Sequence, residues 1–338
     1  MYRLLTGFTG AAAFAVAFAA STAVAQTKEV TIGYQDMVVP YRTMQEAKEI
    51  EKATGYKINW KQFGGGGEVI KAMASGAVQI GEVGSAGIAA ALSRGEPYEL
   101  FWILDDIGDA EALVAKNGSG INSVADLKGK KIAMPFNSTT HFHTMVALEQ
   151  AKINPADVQI LNMRPPEVRA AWQRGDIQAT FIWDPVLAEV KKDGKVITSS
   201  GKISADTGKA TFDGYIANKD WAKANRDFMV KFVKAMAAAD DNYRKNTAKW
   251  TKDSAEVKAV AKWSGAKPED VPGGMSLYRF PSAAEQASPK WLGGGKDGVA
   301  AKALAATAAF QLSQKQVEKV LPDYSVAVNP SYAADAAK

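Results

Sequence analysis

The chain contains no cysteine. That removes disulfide frameworks, thiolate zinc sites, iron–sulfur clusters and cysteine nucleophiles together. Histidine is nearly absent too, with only His141 and His143. Two residues apart on a helix, they point to different faces and cannot share a metal as an i, i+4 pair would. Neither a G-x-S-x-G elbow nor a G-x-x-x-x-G-K-[ST] loop occurs, and Gly64-Gly65-Gly66-Gly67 lacks dinucleotide spacing, so it reads as a flexible loop. No cofactor and no metal is expected. The formal charge of +5 is scattered without a basic run, which gives no case for a nucleic-acid partner.

After the first 25 residues no apolar stretch approaches the roughly 20 residues that a spanning helix needs. Those first residues form their own pattern. Arg3 is the only charge before Lys28; Leu4, Leu5, Phe8, Phe14, Val16 and Phe18 sit among alanines, and Ala23-Val24-Ala25 precedes Gln26. A charged start, a short apolar stretch and an A-x-A end predict a cleavable secretory signal over residues 1–25, hence a soluble exported protein, placed in the periplasm.

From Lys28 the hydrophobic period alternates between strand and helix. Val30 to Tyr34, Lys57 to Phe63 and Val78 to Ile80 read as strands; Thr43–Thr54, Glu68–Ser75 and Ser85–Ser93 read as helices, stopped by Gly55, Gly76 and Gly95. The series recurs with strands at Lys131 to Met134, Val158 to Asn162 and Ile177 to Ile182, and helices at Thr139–Lys152 and Glu167–Arg174. Glu68-Val69, Ala72, Gly76 and Gln79 return as Glu167-Val168, Ala171, Gly175 and Gln178, all offset by 99. Such a pattern predicts two similar α/β lobes with mostly parallel sheets. The later helices, Arg226–Arg244, Ala255–Ser264 and Val299–Ser313, are assigned to the first lobe. Lobe one is then 27–112 plus 216–338 and lobe two 113–215, with crossings near Leu113-Val114 and Asp213-Gly214-Tyr215. Two crossings make a hinge, and the ligand cleft lies between the lobes.

Ligands of such folds sit at the carboxyl ends of strands. Four polar junctions occur there: Gly33-Tyr34-Gln35, Gly81 to Ser85, Pro135 to His141, and Phe181 to Pro185. Ser138, Thr139 and Thr140 open a helix, whose free amides and positive dipole end attract an oxyanion; a plain N-cap is the competing reading. Gly84-Ser85 offers the same geometry from the other lobe. No junction carries Lys or Arg, which disfavours a multiply charged phosphate. The nearby charges are the acids Glu111, Asp184 and Asp213, which suit a ligand that also has an ammonium group; for Asp184 before Pro185, helix capping competes.

These segments carry a family pattern. With Val78-Gln79-Ile80-Gly81, Gly84-Ser85, Pro135-Phe136, Ser138-Thr139-Thr140-His141, Pro165-Pro166, Ala170 to Ile177, Val271-Pro272-Gly273 and Asp323-Tyr324-Ser325, the chain closely resembles the taurine-binding periplasmic proteins of ABC importers, within the nitrate/sulfonate/bicarbonate solute-binding family. The resemblance implies a type II periplasmic binding fold, no enzymatic activity, and delivery of taurine to an inner-membrane permease with its ATPase, by a monomer. On this reading Ser138, Thr139, Thr140 and His141, with Gly84 and Ser85, hold the sulfonate. Glu111, Asp213 and Asp184 face the ammonium, and Gln35 and Trp183 line the cleft. Asp184 departs from the smaller residue expected after Trp183. The alternatives are a binder of another aliphatic sulfonate or small oxyanion, an enzyme on the same scaffold, and a sensor.

Overall fold

The alternation of apolar runs and glycine-stopped helices produces ten strands in the computed structural model, which describes residues 28–338. They are β1 (Glu29–Tyr34), β2 (Lys57–Gln62), β3 (Ile80–Gly84), β4 (Tyr98–Asp106), β5 (Glu111–Lys116), β6 (Lys131–Met134), β7 (Gln159–Asn162), β8 (Ala179–Trp183), β9 (Gly194–Ser199) and β10 (Phe212–Asn218). They form two five-stranded sheets, ordered β2-β1-β3-β10-β4 and β7-β6-β8-β5-β9. The signal expected over 1–25 lies outside the described residues. Among the described residues no helix is long and apolar enough to cross a membrane.

Both sheets repeat one plan. Strand β1 runs parallel to β2 and β3, as β6 does to β7 and β8. The antiparallel strands are β10, between β3 and β4, and β5, between β8 and β9. The 99-residue repeat has structural content. Gly76 and Gly175 close their helices at φ 77° and 78°, a left-handed conformation that costs glycine nothing. The next polar residue does the same work in each half: Gln79 Oε1 accepts the Thr31 N–H at 2.9 Å, and Gln178 Oε1 accepts the Lys131 N–H at 3.0 Å.

Three features depart from the sequence expectation. The helix expected over Thr43–Thr54 is two, Arg42–Ala47 and Glu49–Thr54, broken where Lys48 turns left-handed at φ 53°. Strands β4, β5, β9 and β10 were not anticipated; β4 is buried on both faces from Leu100 to Leu104, so it lacks the alternation that marks a half-exposed strand. The chain crosses between sheets earlier than expected, within 107–110 and 200–211. Leu113 and Val114 already pair within β5, and Asp213, Gly214 and Tyr215 within β10.

The later helices cover the first sheet. Phe232 of the helix Arg226–Asn246 packs edge-on against Phe101 and Tyr215, with ring centres 6.0 and 5.4 Å away. Phe310 of the helix Val299–Ser313 instead meets Phe142 of the second lobe at 5.3 Å.

Candidate ligand-binding site

A small cavity opens between the two sheets. Three helices begin on its wall: Gly66–Ala74 at Gly66, Ser85–Ser93 just after Gly84, and Thr139–Gln150 at Ser138 and Thr139. The leading N–H groups of a helix have no intrahelical acceptor, and its dipole is positive at that end. Three such ends give the cavity wall the donors of an oxyanion site. The run expected to be a flexible glycine loop supplies one of them, because Gly66 and Gly67 are already helical.

The hydroxyls are used differently from the expectation. Ser138 Oγ donates to the Pro135 carbonyl at 2.6 Å and accepts the His141 N–H at 3.2 Å. With its proton committed, Ser138 accepts from Thr140 Oγ1, 2.8 Å away, and Thr140 is not on the cavity wall. Thr139 donates to Glu111 Oε1. What this turn offers a ligand is therefore backbone N–H rather than three free hydroxyls. Ser85 is likewise turned inward, its Oγ accepting the Phe212 N–H at 3.3 Å. His141 stacks on Phe136, with ring centres 4.5 Å apart, and burial pushes it down to about 4; it does not line the cavity.

Acids share the wall with these helix ends: Asp213 is the register partner of Gly84, and Glu111 takes the Thr139 hydroxyl. Glu111 begins β5 and Asp213 lies on β10; both are buried on the cavity wall. Glu111 Oε2 lies 2.9 Å from Ser200 Oγ. Burial pushes Glu111 up to about 7, against the opposing hydroxyl donated by Thr139. Asp213 pairs in register with Gly84 on one side and Asp105 of β4 on the other. Two buried carboxylates directly opposite each other resist double ionisation. Burial first, then Glu111 and Glu82, raise Asp213 well above the carboxylate range; burial first, then Asp213, does the same to Asp105. Apart from Asp213 facing it, neither oxygen of Asp105 has a hydrogen-bond partner in the protein, and the Tyr278 hydroxyl on the cavity wall has none. Such unmet polar capacity in an acidic pocket suits a cation.

Asp184 is elsewhere. Its Oδ1 accepts the Ala188 N–H at 2.7 Å, capping the short helix Val186–Val190, and its Oδ2 fills the space a Cβ on Gly274 would take. It is absent from the cavity wall, so the capping reading applies. Trp183 does line the cavity, and its indole Nε1–H donates to Asp36 Oδ1 of the opposite lobe at 2.9 Å. Gln35 is set by Glu82: the Gln35 N–H donates to Glu82 Oε1 at 3.0 Å and its side-chain amide to the Glu82 carbonyl at 3.2 Å.

The structure thus brings together Gln35, Gly84, Glu111, Ser138, Thr139, Trp183 and Asp213, and leaves Ser85, Thr140, His141 and Asp184 off the wall. Met37, Gly66 and Tyr278 complete the wall and were missed, as was Asp105 behind Asp213. The glycine run was a signal for Gly66; Tyr278 follows the Val271-Pro272-Gly273 segment with no local mark of its own.

Gly84 has an ordinary extended backbone, φ −69° and ψ 151°, so its role is space. A Cβ there would fall 2.8 Å from Thr139 Cγ2 of the other lobe and 3.1 Å from Asp213 Oδ1. Gly84→Val is expected to fold, with an unchanged circular dichroism spectrum, yet to lose at least about 100-fold in ligand affinity by titration, since overpacking at this contact wedges the lobes apart. Retained affinity would show that the lobes need not meet here.

Comparison with known proteins agrees with this geometry. Residues 36–267 match the family described as ABC transporter, phosphonate, periplasmic substrate-binding protein. The chain is 35% identical to the taurine-binding periplasmic protein of Escherichia coli (strain K12), over 89% of this chain and 91% of that one. It is 30% identical to a putative aliphatic sulfonates-binding protein of the same organism, over 57% and 59% of the two chains. Among solved structures it is similar to the alkanesulfonate-binding protein SsuA from Xanthomonas axonopodis pv. citri bound to MOPS, with TM-score 0.71 and 22% identity, covering 88% of this chain and 97% of that one. The chain belongs to the family of periplasmic substrate-binding proteins of ABC transporters. Its fold is the two-lobed α/β fold of the periplasmic sulfonate-binding proteins.

Proposed function

We propose that the protein captures taurine, 2-aminoethanesulfonate, and delivers it to an inner-membrane ABC permease with its ATPase. One observation carries the reading: three helix N-termini and two buried acids share one small cavity whose wall has no Lys or Arg. A sulfonate carries a single, permanent negative charge that amide donors can satisfy. A phosphonate carries up to two and would call for a cationic side chain. The opposite end of taurine is an ammonium, which suits Asp213 and Glu111 with Asp105 behind them. Taurine has about seven heavy atoms; at a ceiling of about −1.5 kcal/mol per atom, Kd reaches tens of nanomolar at best.

The working unit of this proposal is a monomer. Binding rather than turnover is supported by Ser138, whose hydroxyl is committed to its own turn, and by a cavity wall that includes neither histidine. The pattern of residues 1–25 supports export to the periplasm through a cleaved signal.

Calorimetric titration against taurine, ethanesulfonate and 2-aminoethylphosphonate tests the reading. Taurine is expected to bind at least about 100-fold more tightly than either, because one rival lacks the ammonium and the other brings a second negative charge. Equal binding of ethanesulfonate would sink the ammonium half and favour a general aliphatic-sulfonate binder. Tighter binding of the phosphonate would sink the sulfonate half.

A further inference from the structure

Glu111 is the cavity end of a hydrogen-bond chain that runs into the second lobe. Its Oε2 lies 2.9 Å from Ser200 Oγ, Ser200 Oγ lies 2.8 Å from His143 Nδ1, and His143 Nε2 lies 2.9 Å from the Lys209 carbonyl oxygen. Counting protons along the chain decides what each group is. A carbonyl oxygen only accepts, so His143 Nε2 must carry a hydrogen. A neutral imidazole then has a bare Nδ1, which only accepts, so the single Ser200 proton goes to His143. With that proton spent, the contact between Ser200 Oγ and Glu111 Oε2 needs its hydrogen from Glu111. Glu111 Oε1 is left as the carbonyl oxygen, and it accepts from Thr139.

The other arrangement consistent with these contacts makes His143 an imidazolium and Glu111 a carboxylate. It is opposed from both ends. His143 is fully buried, with Phe142 and Phe181 ring centres 5.3 and 6.4 Å away, and the Lys209 ammonium points instead over the ring of Phe310. At the cavity end, Glu111 already faces Asp213 with Asp105 beyond it, so a charge there adds a third carboxylate to the cluster.

We infer that Ser200 and His143 hold Glu111 in the empty site as a neutral carboxylic acid, leaving Asp213 with Asp105 as the negative charge that a ligand's ammonium meets. The inference rests on the taurine reading for its second half, and on the hydrogen-bond chain alone for its first. Ser200 and His143 are positioning residues: they touch no ligand, and they set the proton of the group that does. An acid that spends its proton inward presents the ligand with acceptor lone pairs and no repulsion toward a sulfonate nearby. Asp213, unpartnered by any hydroxyl, keeps the charge.

Nuclear magnetic resonance on the ligand-free protein tests the chain directly. At pH 6, His143 should be the neutral tautomer, protonated at Nε2 with Nδ1 bare, and the Glu111 carboxyl carbon should read as the protonated acid. Ser200→Ala then gives a sign. Removing the acceptor of the Glu111 proton should lower the pH at which Glu111 titrates. If Ser200 instead donates to a carboxylate, the same change raises that pH and overturns the inference. An imidazolium signal from His143 at pH 6 would overturn it as well. In titrations with taurine, Glu111→Gln, whose amide copies the neutral acid, should weaken binding by less than about tenfold, against at least about 100-fold for Asp213→Asn. The reverse order refutes the division of roles. Because the resonance experiments need no ligand, failure of taurine to bind leaves the first half separately decided.

Discussion

Asp213→Asn is expected to weaken taurine at least about 100-fold while leaving ethanesulfonate unchanged or slightly improved. The loss corresponds to roughly 3 kcal/mol, the scale of a buried charge pair stripped of one partner. Asparagine keeps the shape and removes the charge, and only taurine has an ammonium to miss it. Equal losses for both ligands would mean that Asp213 supports the cavity without touching the ammonium. The same residue sets the pH dependence. Burial and the facing acids raise Asp213 and Asp105, so that the pair holds no more than one negative charge when the site is empty, and Glu111 titrates at about 7. An ammonium favours the ionised acids, so binding expels protons and affinity falls as the pH drops from 8 to 5. Titration in buffers of different ionisation enthalpy should show that release in the wild type and its reduction in Asp213→Asn. The empty protein should change in the opposite direction. A carboxyl raised by folding stabilises the fold fully below its unfolded value near 4, and that contribution is lost as pH rises through about 7 for Glu111.

Arg42→Met should cost about 3–5 kcal/mol of folding stability, the largest effect expected of any single change outside the cavity. Arg42 is wholly buried, 3.3 Å from Glu82 Oε2, and its guanidinium lies 4.7 and 4.4 Å from the ring centres of Tyr34 and Tyr41. It also donates to the Met37 carbonyl at 3.3 Å, the Gln45 side chain at 3.0 Å and the Gln35 carbonyl. Methionine fills much of the volume and leaves Glu82 charged, buried and unpaired. Calorimetric unfolding should show the midpoint falling by about 6–20 °C, at roughly 2–4 °C per kcal/mol for a chain of this class. Adding Glu82→Gln should recover part of it, since the stranded charge is then gone. A drop below about 1 kcal/mol would mean that water reaches Glu82. The pair also positions the site: Glu82 holds Gln35 by two hydrogen bonds, so ligand affinity should fall with stability.

Much of the architecture was legible because its signals are local. The helices Ser85–Ser93, Ala255–Ser264 and Val299–Ser313 begin and end where their caps and periodicity place them. The repeat from Glu68 to Gln79 announced two equivalent units, down to the paired glutamines. The illegible strands share a physical cause. Residues Leu100 to Leu104 are buried on both faces, and β10 finds its partners more than 100 residues away in sequence, so neither leaves a period to read.

The site divides along the same line. Sequence alone determined that four polar junctions end the strands, that those at Ser85 and at Ser138 to Thr140 open helices, that none carries a cation, and that Glu111 and Asp213 border the crossings. Charge and capping are properties of residues in a row. Only the tertiary structure decided which way each hydroxyl turned, because Ser138, Thr140 and Ser85 choose among acceptors that packing brings within reach. It alone set Asp105 opposite Asp213, took Asp184 into a helix cap and brought Tyr278 to the wall. A hydroxyl or carboxylate has several partners of nearly equal energy, so its local sequence cannot select one; burial beside a distant strand can.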